Sequence, residues 1–349
     1  MMRYVIIGAG AVGATFAAQL HEAGREVFLV ARGANLAALQ STGLRYVRPD
    51  HERVLHLPAS DDVVLRSDDV LVLAVKSQDS DAAVQRWAWR PVEVEGRTRS
   101  AAEVLPIVLL QNGLANAQVA LRRFETVLDA AVLIPSWHVT PGVVVAPSHP
   151  TVAVVYLGLV PSGTNTLASR IAYDFNAAHI ATQVVPDIAR WKAGKLLGNL
   201  SHNLDALFPP GPLRDIAARE IYAEAKAVYR AAGIDAADLQ AENTLDLSGF
   251  VGRPIDGYER GGSSTWQSLA RSAPVESDFL NGEIGLIARQ HGIPAPLNIA
   301  VQRKTARISR DGLPPGSYGE GDLFHFLREA GVSVERLPGR ASVPLYPSE

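Results

Sequence analysis

The stretch that decides the fold lies near the start of the chain and reads Tyr4-Val5-Ile6-Ile7-Gly8-Ala9-Gly10-Ala11-Val12-Gly13. A short apolar run is followed there by the pattern GxGxxG, which opens an amphipathic stretch. In a strand–turn–helix unit, the three glycines permit a tight turn, close approach of a pyrophosphate, and close packing of helix on strand. The helix N-terminus adds N–H donors and a partial positive charge. The alternative is a plain glycine-rich turn. The context favours a cofactor-binding turn made of Gly8, Ala9, Gly10, Ala11, Val12 and Gly13.

The first half of the chain alternates short β-rich runs with helical patterns. The runs are rich in Val, Ile and Leu with little two-residue alternation, which is typical of strands buried on both faces of a parallel sheet. They cover residues 4–7, 27–30, 70–75, 106–110 and 127–134, and helical patterns lie between them at 11–23, 36–41, 78–87 and 115–124. This order predicts an α/β fold with an N-terminal, Rossmann-type, doubly wound sheet. The polar stretch 89–103 indicates an insertion, and residues 136–158 predict antiparallel strands that extend the sheet.

The pattern changes after Val185, where β-rich runs nearly disappear. Long helical patterns follow at 187–207, 213–232 and 274–291. At roughly 150 residues per domain, a chain of 349 residues is expected to hold about two domains. We therefore expect three parts, which are a Rossmann domain at 1–185, an all-helical substrate and catalytic domain at 186–311, and a proline-rich tail at 312–349 that wraps the surface or frays.

The composition excludes several classes of protein. Lys plus Arg number 33 and Asp plus Glu number 36, so the net charge of −3 provides no basic surface for nucleic acid. The absence of cysteine rules out disulfides, thiolate catalysis and cysteine-ligated metals, and the nine histidines show no metal-ligand spacing. The longest uncharged apolar stretch, 152–160, is about half of a membrane span, and no signal peptide is visible. We expect a cytoplasmic protein without metal, nucleic-acid or membrane partners.

The end of the second β-rich run indicates which dinucleotide binds. An NAD site places Asp or Glu there to bind the ribose hydroxyls. This chain has Leu29-Val30-Ala31-Arg32-Gly33 instead, with no acid. Arg32 can pair with a 2′-phosphate, which a carboxylate would repel. The pattern predicts NADPH/NADP+ as the cofactor, and a solvated surface arginine is the alternative.

Polar residues follow two further strands and lie on one predicted helix. Lys76 and Asn112 come at the carboxyl ends of apolar runs, where ligands of open α/β sheets bind, although Asn112-Gly113 is also a common turn. Lys195, Asn199 and Asn203 follow one another at intervals of four residues and therefore share one helical face. Because asparagine is a poor helix former, this face indicates a polar cleft wall, with a solvated face as the alternative.

These motifs, taken in order, resemble the ketopantoate reductase (2-dehydropantoate 2-reductase) family. The resemblance runs from residue 1 to about 305. Beyond the motifs above, it includes Leu36-Ala37-Ala38-Leu39, Gln111-Asn112-Gly113, Gly262-Ser263-Ser264-Thr265-Trp266-Gln267-Ser268-Leu269, Pro274-Val275-Glu276-Ser277-Asp278-Phe279-Leu280-Asn281-Gly282 and His291-Gly292-Ile293-Pro294-Ala295-Pro296-Leu297-Asn298. The set is specific for the superfamily and much less so for the substrate.

The resemblance implies two catalytic residues. Lys195 matches the general acid that protonates a ketone oxygen, and Glu276 matches an acidic residue near the substrate hydroxyl and that lysine. The family usually has tryptophan two residues before the lysine, whereas Trp191 stands four before Lys195. Lys192 is the alternative acid if the asparagines are also re-registered. His202 is a further alternative donor, although its helical phase indicates a different face.

The resemblance also implies the binding residues. Asn199, Asn203 and Ser264 match substrate-binding positions. Asn112 matches a cofactor and active-site amide, and Lys76 matches a lysine that faces cofactor or substrate. The active site is expected between the two domains, and a homodimer is compatible with a helical second domain.

The expected chemistry is hydride transfer to a 2-oxo acid. Hydride addition builds an alkoxide, so a cation beside that oxygen stabilises the transition state more than the ground state. The resemblance implies 2-dehydropantoate as the leading substrate and (R)-pantoate as the product. A reductase of another ketone, 2-oxo acid or imine is one alternative. A non-catalytic NADP(H)-binding protein is the other.

Overall fold

The computed structural model describes residues 2–332, which fold as two compact units. The first unit holds the residues up to 192 together with 238–260, and the second holds 193–237 together with the residues from 261 onward. The division thus falls later in the chain than the expected boundary at 185. Segment 238–260 joins the first unit instead of the helical one.

The strands of the described residues all belong to the first unit. In chain order they are β1 (Arg3–Ile7), β2 (Glu26–Val30), β3 (Leu44–Val47), β4 (Glu52–Leu55), β5 (Ala59–Ser60), β6 (Asp69–Leu73), β7 (Pro91–Val94), β8 (Arg97–Ser100), β9 (Ile107–Leu109), β10 (Val127–Leu133), β11 (Trp137–His138), β12 (Val143–Val145), β13 (Ser148–Pro150), β14 (Ala153–Leu159), β15 (Ile180–Val184) and β16 (Phe250–Gly252). The central sheet has eight strands in the order β15-β14-β10-β9-β6-β1-β2-β5. All neighbours in it are parallel except β10 and β14.

The helices are divided between the two units. In chain order they are α1 (Ala11–Glu22), α2 (Gly33–Ser41), α3 (Ser80–Ala88), α4 (Ala101–Val104), α5 (Asn116–Leu121), α6 (Thr166–Ala177), α7 (Ile188–Asn199), α8 (Ser201–Leu207), α9 (Pro212–Ala232), α10 (Ser264–Ala270), α11 (Asn281–Gln290), α12 (Pro296–Arg310) and α13 (Glu320–Glu329). Helices α1 to α6 lie in the first unit, and the division between the units falls within α7. No helix of residues 2–332 is long and apolar enough to cross a membrane.

The predicted doubly wound sheet is confirmed, and its two buried faces explain the missing alternation. Tyr4 and Ile6 of β1 belong to one apolar cluster, which includes residues of α1 and α6. Val5 and Ile7 belong to a second cluster, which includes residues of α3. Because successive side chains of a strand point to opposite faces, both faces of β1 require apolar residues.

The region 136–158 departs in part from the prediction. Only β14 extends the central sheet, antiparallel to β10. Strands β11 and β12 join β3 and β4 in a separate four-stranded sheet, and β13 pairs with β16. This last pairing explains why the segment around β16 belongs to the first unit. The polar insertion 89–103 forms the β7–β8 hairpin and then α4, whose N-terminus is closed by a capping box of Ser100 and Glu103.

The second half differs from the predicted helices at two places. The pattern at 187–207 forms two helices, because α7 ends at Asn199 and α8 begins at Ser201. Within its described part, the expected tail forms α13. Leu323, Phe326 and Leu327 of α13 are buried, at the three- and four-residue spacing of an apolar helical face. Residues 333–349 of the predicted tail lie outside the described residues.

Candidate functional site

The three positions of the turn after β1 that hold glycine differ in what surrounds them. Gly8 has φ of +114°, and a Cβ there would lie 2.9 Å from the backbone of Ala74. A Cβ on Gly13 would lie 1.9 Å from the carbonyl oxygen of Gly8, so this glycine allows α1 to pack against the turn. A Cβ on Gly10 would meet no atom within 4 Å. Packing within the protein therefore requires Gly8 and Gly13, whereas Gly10 borders open space.

That open space adjoins a helix N-terminus suited to an anion. Gly10 is the N-cap of α1, and no side chain caps the helix there. The first N–H groups of a helix lack partners within the helix and carry partial positive charge. The turn thus combines room and donors, which is the arrangement that a pyrophosphate requires. The residues present fit a dinucleotide.

Asn35 supports this turn and was missed in the sequence. Its Nδ2 donates to the carbonyl oxygen of Ala9 at 2.7 Å. Its Oδ1 accepts from the backbone N–H of Gly142 at 2.8 Å. The amide therefore ties the glycine turn to the loop before β12. No signal was available, because asparagine is common immediately before a helical pattern such as 36–41.

Arg32 is exposed at the end of β2, where it is the N-cap residue of α2. Within residues 2–332 its guanidinium forms no ion pair. The position fits a phosphate ligand, and its role in cofactor choice stays a prediction.

The structure brings together the turns that carry Lys76 and Asn112. The hydroxyl of Ser77 donates to the carbonyl oxygen of Asn112 at 3.2 Å. Nδ2 of Asn116 donates to the Ser77 Oγ at 3.1 Å and to the same carbonyl at 3.2 Å. Gly113 has φ of +77°, which confirms the sharp turn expected there. Two predicted cofactor residues therefore belong to one hydrogen-bonded pair of loops at the carboxyl end of the sheet.

The first turns of α7 are anchored on the central sheet. The rings of Trp191 and Tyr156 stack with centroids 4.0 Å apart. The ammonium of Lys192 forms an ion pair with Asp129, with Nζ 3.0 Å from Oδ1, and both side chains are about 95% buried. Burial raises the pKa of Asp129, and the charge of Lys192 opposes part of that rise. The ammonium of Lys192 is thus already bonded in a buried ion pair.

Lys195 and Asn199 lie one turn apart near the end of the same helix. Lys195 is half-buried, whereas Asn199 is 8% exposed. Their spacing of four residues within α7 places them on a common face, as expected. Asn203 lies beyond the break at Leu200, in α8, so the three residues do not share one continuous helix.

Asn203 belongs to a buried chain of polar side chains in the second unit. It is 0% exposed. Its Oδ1 accepts from the Thr265 hydroxyl at 2.9 Å, and its Nδ2 donates to the Oδ1 of Asn281 at 2.6 Å. Asn281 donates in turn to Asn298 at 2.9 Å, and Asn298 donates to Glu224 at 2.8 Å. We call these five residues the buried amide network. The substrate-binding role of Asn203 stays a prediction, and its amide is already bonded within this network.

Ser264 lies beside the network, at the first position of α10. Its hydroxyl is 3.3 Å from Nδ1 of His202. The neighbouring Ser263 donates to the carbonyl oxygen of His202 at 2.9 Å and accepts a capping bond from Trp266. The structure thus places the considered alternative donor, His202, next to a predicted substrate residue. Glu276 occupies the N-cap position of a short 3₁₀ helix, Ser277–Phe279, which precedes Asn281, but its side chain makes no capping bond.

Glu283 is a buried carboxyl group that sequence reasoning missed. It lies in α11, is 7% exposed, and has a pKa that burial raises to about 7. Burial raises the pKa of the Tyr229 phenol, and the charge of Glu283 adds to that rise. Within residues 2–332 no cluster of three or more His, Asp or Glu side chains could hold a metal ion.

Comparisons with known proteins agree along most of the chain. The family model "Ketopantoate reductase PanE/ApbA" matches residues 4–160, and "Ketopantoate reductase PanE/ApbA C terminal" matches residues 194–308. A 2-dehydropantoate 2-reductase from Pyrococcus abyssi is 23% identical over 304 residues, covering 85% of this chain and 95% of the relative.

Solved structures show the same fold. A PanE/ApbA family ketopantoate reductase from Ralstonia eutropha has a TM-score of 0.72 and 26% identity, covering 89% of this chain and 99% of that one. A D-mandelate dehydrogenase, solved with NADH and anilino(oxo)acetate, has a TM-score of 0.69 and 18% identity with the same coverage. At that identity the second likeness extends to the fold alone.

Proposed function

Because the chain belongs to the ketopantoate reductase family, whose members are oxidoreductases, we propose that it reduces a 2-oxo acid with NADPH. The leading substrate is 2-dehydropantoate, and the product is (R)-pantoate. The single observation that carries the proposal is the glycine turn. Gly8 and Gly13 are required by the packing of the protein, whereas Gly10 borders open space at an uncapped helix N-terminus.

NADPH supplies the hydride when it is bound. The glycine turn would hold its pyrophosphate through backbone N–H groups, and Lys76 and Asn112 would contact it from the paired turns after β6 and β9. Arg32 would bind the 2′-phosphate, since its exposed guanidinium forms no ion pair within residues 2–332.

Lys195 would stabilise the developing alkoxide and deliver the proton to that oxygen. The ion pair between Lys192 and Asp129 supports this choice, because Lys192, the alternative acid, is buried in it. A lysine near its ordinary pKa of about 10.4 is a slow acid at neutral pH, so partial burial of its ammonium would help. Asn199 and Ser264 would bind the substrate, and Glu276 would favour the charged form of the lysine.

The decisive experiment is an NADPH-oxidation screen over a panel of 2-oxo acids that includes 2-dehydropantoate. We expect 2-dehydropantoate to have the highest kcat/KM in the panel. Brisk turnover of another carbonyl without turnover of 2-dehydropantoate would overturn the substrate assignment. Binding of NADPH without turnover of any carbonyl would favour a non-catalytic NADP(H)-binding protein.

Cofactor choice is tested by comparing NADPH and NADH in the same assay. We expect the wild type to prefer NADPH, and we expect Arg32→Ser to lower that preference roughly tenfold or more, because one charge-assisted bond to the 2′-phosphate is lost. The rate with NADH should stay nearly unchanged. Equal kcat/KM for the two cofactors in the wild type would contradict the NADPH assignment.

One observation favours a second candidate, which is a reductase of another 2-oxo acid or ketone. Asn203 matches a substrate-binding position, but its amide bonds with Thr265 and Asn281 and is fully buried. The substrate contacts of this chain can therefore differ from those of its relatives, and the panel above separates the two candidates. Assembly as a homodimer and location in the cytoplasm stay predictions.

A further inference from the structure

The ammonium of Lys192 has three acceptors, and one of them belongs to the turn that carries Asn112. Nζ lies 3.0 Å from Oδ1 of Asp129 in β10. It donates to the carbonyl oxygen of Gln111 at 2.5 Å and to that of Ala130 at 3.3 Å. An ammonium has three N–H donors, so all of them are used. The arrangement connects α7, the middle of β10 and the end of β9 at one buried atom.

The close approach of α7 to the sheet depends on a glycine. Gly158 of β14 pairs with Asp129 of β10. A Cβ on Gly158 would lie 2.4 Å from the carbonyl oxygen of Val185 and 2.9 Å from Cβ of Ile188. The first turn of α7 therefore lies directly on the sheet at this glycine. Lys192 follows Ile188 by four residues, so it projects from the same face of the helix toward Asp129.

Gln111 is held through its backbone carbonyl. Its side chain is 6% exposed, and neither Oε1 nor Nε2 has a hydrogen-bond partner within the described residues. The side-chain amide therefore contributes no bond that would hold the turn. The charge-assisted bond from Lys192 is shorter than the bonds that Ser77 and Asn116 make to Asn112.

We propose that Lys192 and Asp129 are positioning residues for the Gln111–Gly113 turn, and that they thereby set the affinity for the dinucleotide. The proposal rests on the proposed function for its ligand, while the placement of the turn itself does not. Lys192 acts through the Gln111 carbonyl, and Asp129 orients the buried ammonium through its ion pair. Neither residue is assigned a contact with cofactor or substrate.

The test separates positioning from stability by using paired apolar replacements. Lys192→Met leaves a buried carboxylate without its cation, so the melting temperature should fall by about 5 °C or more. The double variant Asp129→Leu/Lys192→Met removes both charges, which commonly restores stability. The bond to Gln111 stays absent in both variants. We therefore expect the double variant to regain most of the melting temperature but to bind NADPH roughly tenfold more weakly than the wild type.

The matched control is the Arg3–Asp69 pair of the same sheet. This pair is also buried, with Nε 2.6 Å from Oδ1, and it joins the amino ends of β1 and β6. Ligands of open α/β sheets bind at the carboxyl ends, so Arg3→Met/Asp69→Leu should change stability without changing the NADPH dissociation constant. A similar loss of affinity in the control would overturn the proposal.

A second readout follows the turn directly. Backbone hydrogen exchange should be faster at Asn112 and Gly113 in the double variant and unchanged at the same residues in the control. Wild-type affinity and wild-type exchange in a stable double variant would show that the pair is only structural. If the wild type binds neither NADPH nor NADH, the proposed function fails, and the exchange measurement alone then decides whether the pair positions the turn.

Discussion

The loops at the carboxyl ends of β1, β6 and β9 and the buried amide network of the second unit position polar groups in opposite ways. In the loops, most bonds end on backbone carbonyls, such as those of Ala9, Gln111 and Asn112. In the network, side chains bond to one another, and Asn203, Asn281 and Asn298 are each 0% exposed. In the loops only the donor of each bond is a side chain, whereas in the network both the donor and the acceptor are side chains.

This difference predicts how each region responds to substitution. A loop held through carbonyls keeps its acceptors when a side chain changes, because every residue has a carbonyl. A buried side-chain network loses two partners when one member is removed, and an unsatisfied buried amide costs about 1–3 kcal/mol. The loops should therefore tolerate side-chain changes at the residues whose carbonyls accept, but not at glycine or at the donors Asn35, Lys192 and Ser77, and the network should tolerate few.

The largest effect is expected from Lys195→Ala, which tests whether the chemistry belongs to the helical region. Loss of the cation and proton donor should lower kcat by ~10²–10⁴ in steady-state NADPH oxidation. Because Lys195 is only half-buried, the melting temperature should change little. The control is Lys226→Ala, which removes a lysine lying over Tyr222 in α9 and should keep full activity. Full activity of Lys195→Ala on the best substrate would end the assignment.

The next effect contrasts two glycines of one loop. Gly13→Ala places a methyl group 1.9 Å from the Gly8 carbonyl oxygen, so it should lower the free energy of unfolding by about 3 kcal/mol. Gly10→Ala meets no protein atom within 4 Å and should leave stability unchanged. It should nevertheless weaken NADPH binding, measured by fluorescence titration, because the methyl group takes the space assigned to the pyrophosphate. Unchanged affinity in Gly10→Ala would argue against that assignment.

A somewhat smaller effect is expected within the buried amide network. Asn281→Ala removes the acceptor of Asn203 and the donor to Asn298. The free energy of unfolding should fall by about 2–3 kcal/mol in urea titrations. Gln290→Ala is the control, because it changes an exposed amide of the same helix and should stay within about 0.5 kcal/mol of the wild type. If Asn281→Ala lowers the free energy of unfolding as little as Gln290→Ala does, the contrast between the two regions is wrong.

The smallest effect is a pH dependence in the second unit. The pKa of Glu283 is about 7 in the folded chain because of burial, above its ordinary value, so the folded state holds a proton that the unfolded state releases. Stability should therefore fall as pH rises from about 4.5 to about 7. Glu283→Gln should remove this part of the slope and exceed the wild type at pH 8 by on the order of 2 kcal/mol. Parallel stability curves from pH 4 to pH 8 would contradict the buried carboxyl group.

The same contrast explains how much of the fold could be predicted from the sequence. The apolar runs and the glycine motif predict the central sheet, because strands buried on both faces require continuous Val, Ile and Leu. The pairing of β13 with β16 joins residues about a hundred positions apart, and no local pattern indicates it. No local pattern indicates the break at Leu200 either, because the dihedral angles of this residue remain helical.

The candidate site shows the same division. Lys76, Asn112 and Gly113 could be placed at strand ends from the sequence alone, because strand ends are recognised by the apolar runs before them. The pair Lys192–Asp129 could not, since Asp129 is a single charge inside the apolar run 127–134 and its partner follows much later in the chain. Asn281 and Asn298 lie in motifs that carry the family resemblance, but the bond between them depends on the packing of α11 against α12. The catalytic roles of Lys195 and Glu276 stay predictions.

The path of the chain has a practical consequence for anyone who wishes to express one unit alone. The polypeptide leaves the first unit after Lys192, returns at Asp238 and leaves again after Arg260. A stop codon after position 192 deletes β16, the partner of β13, and also deletes the Glu242 carboxylate that binds Arg190. A gene for the isolated first unit therefore needs residue 192 joined to residue 238, since simple truncation leaves β13 without its partner strand.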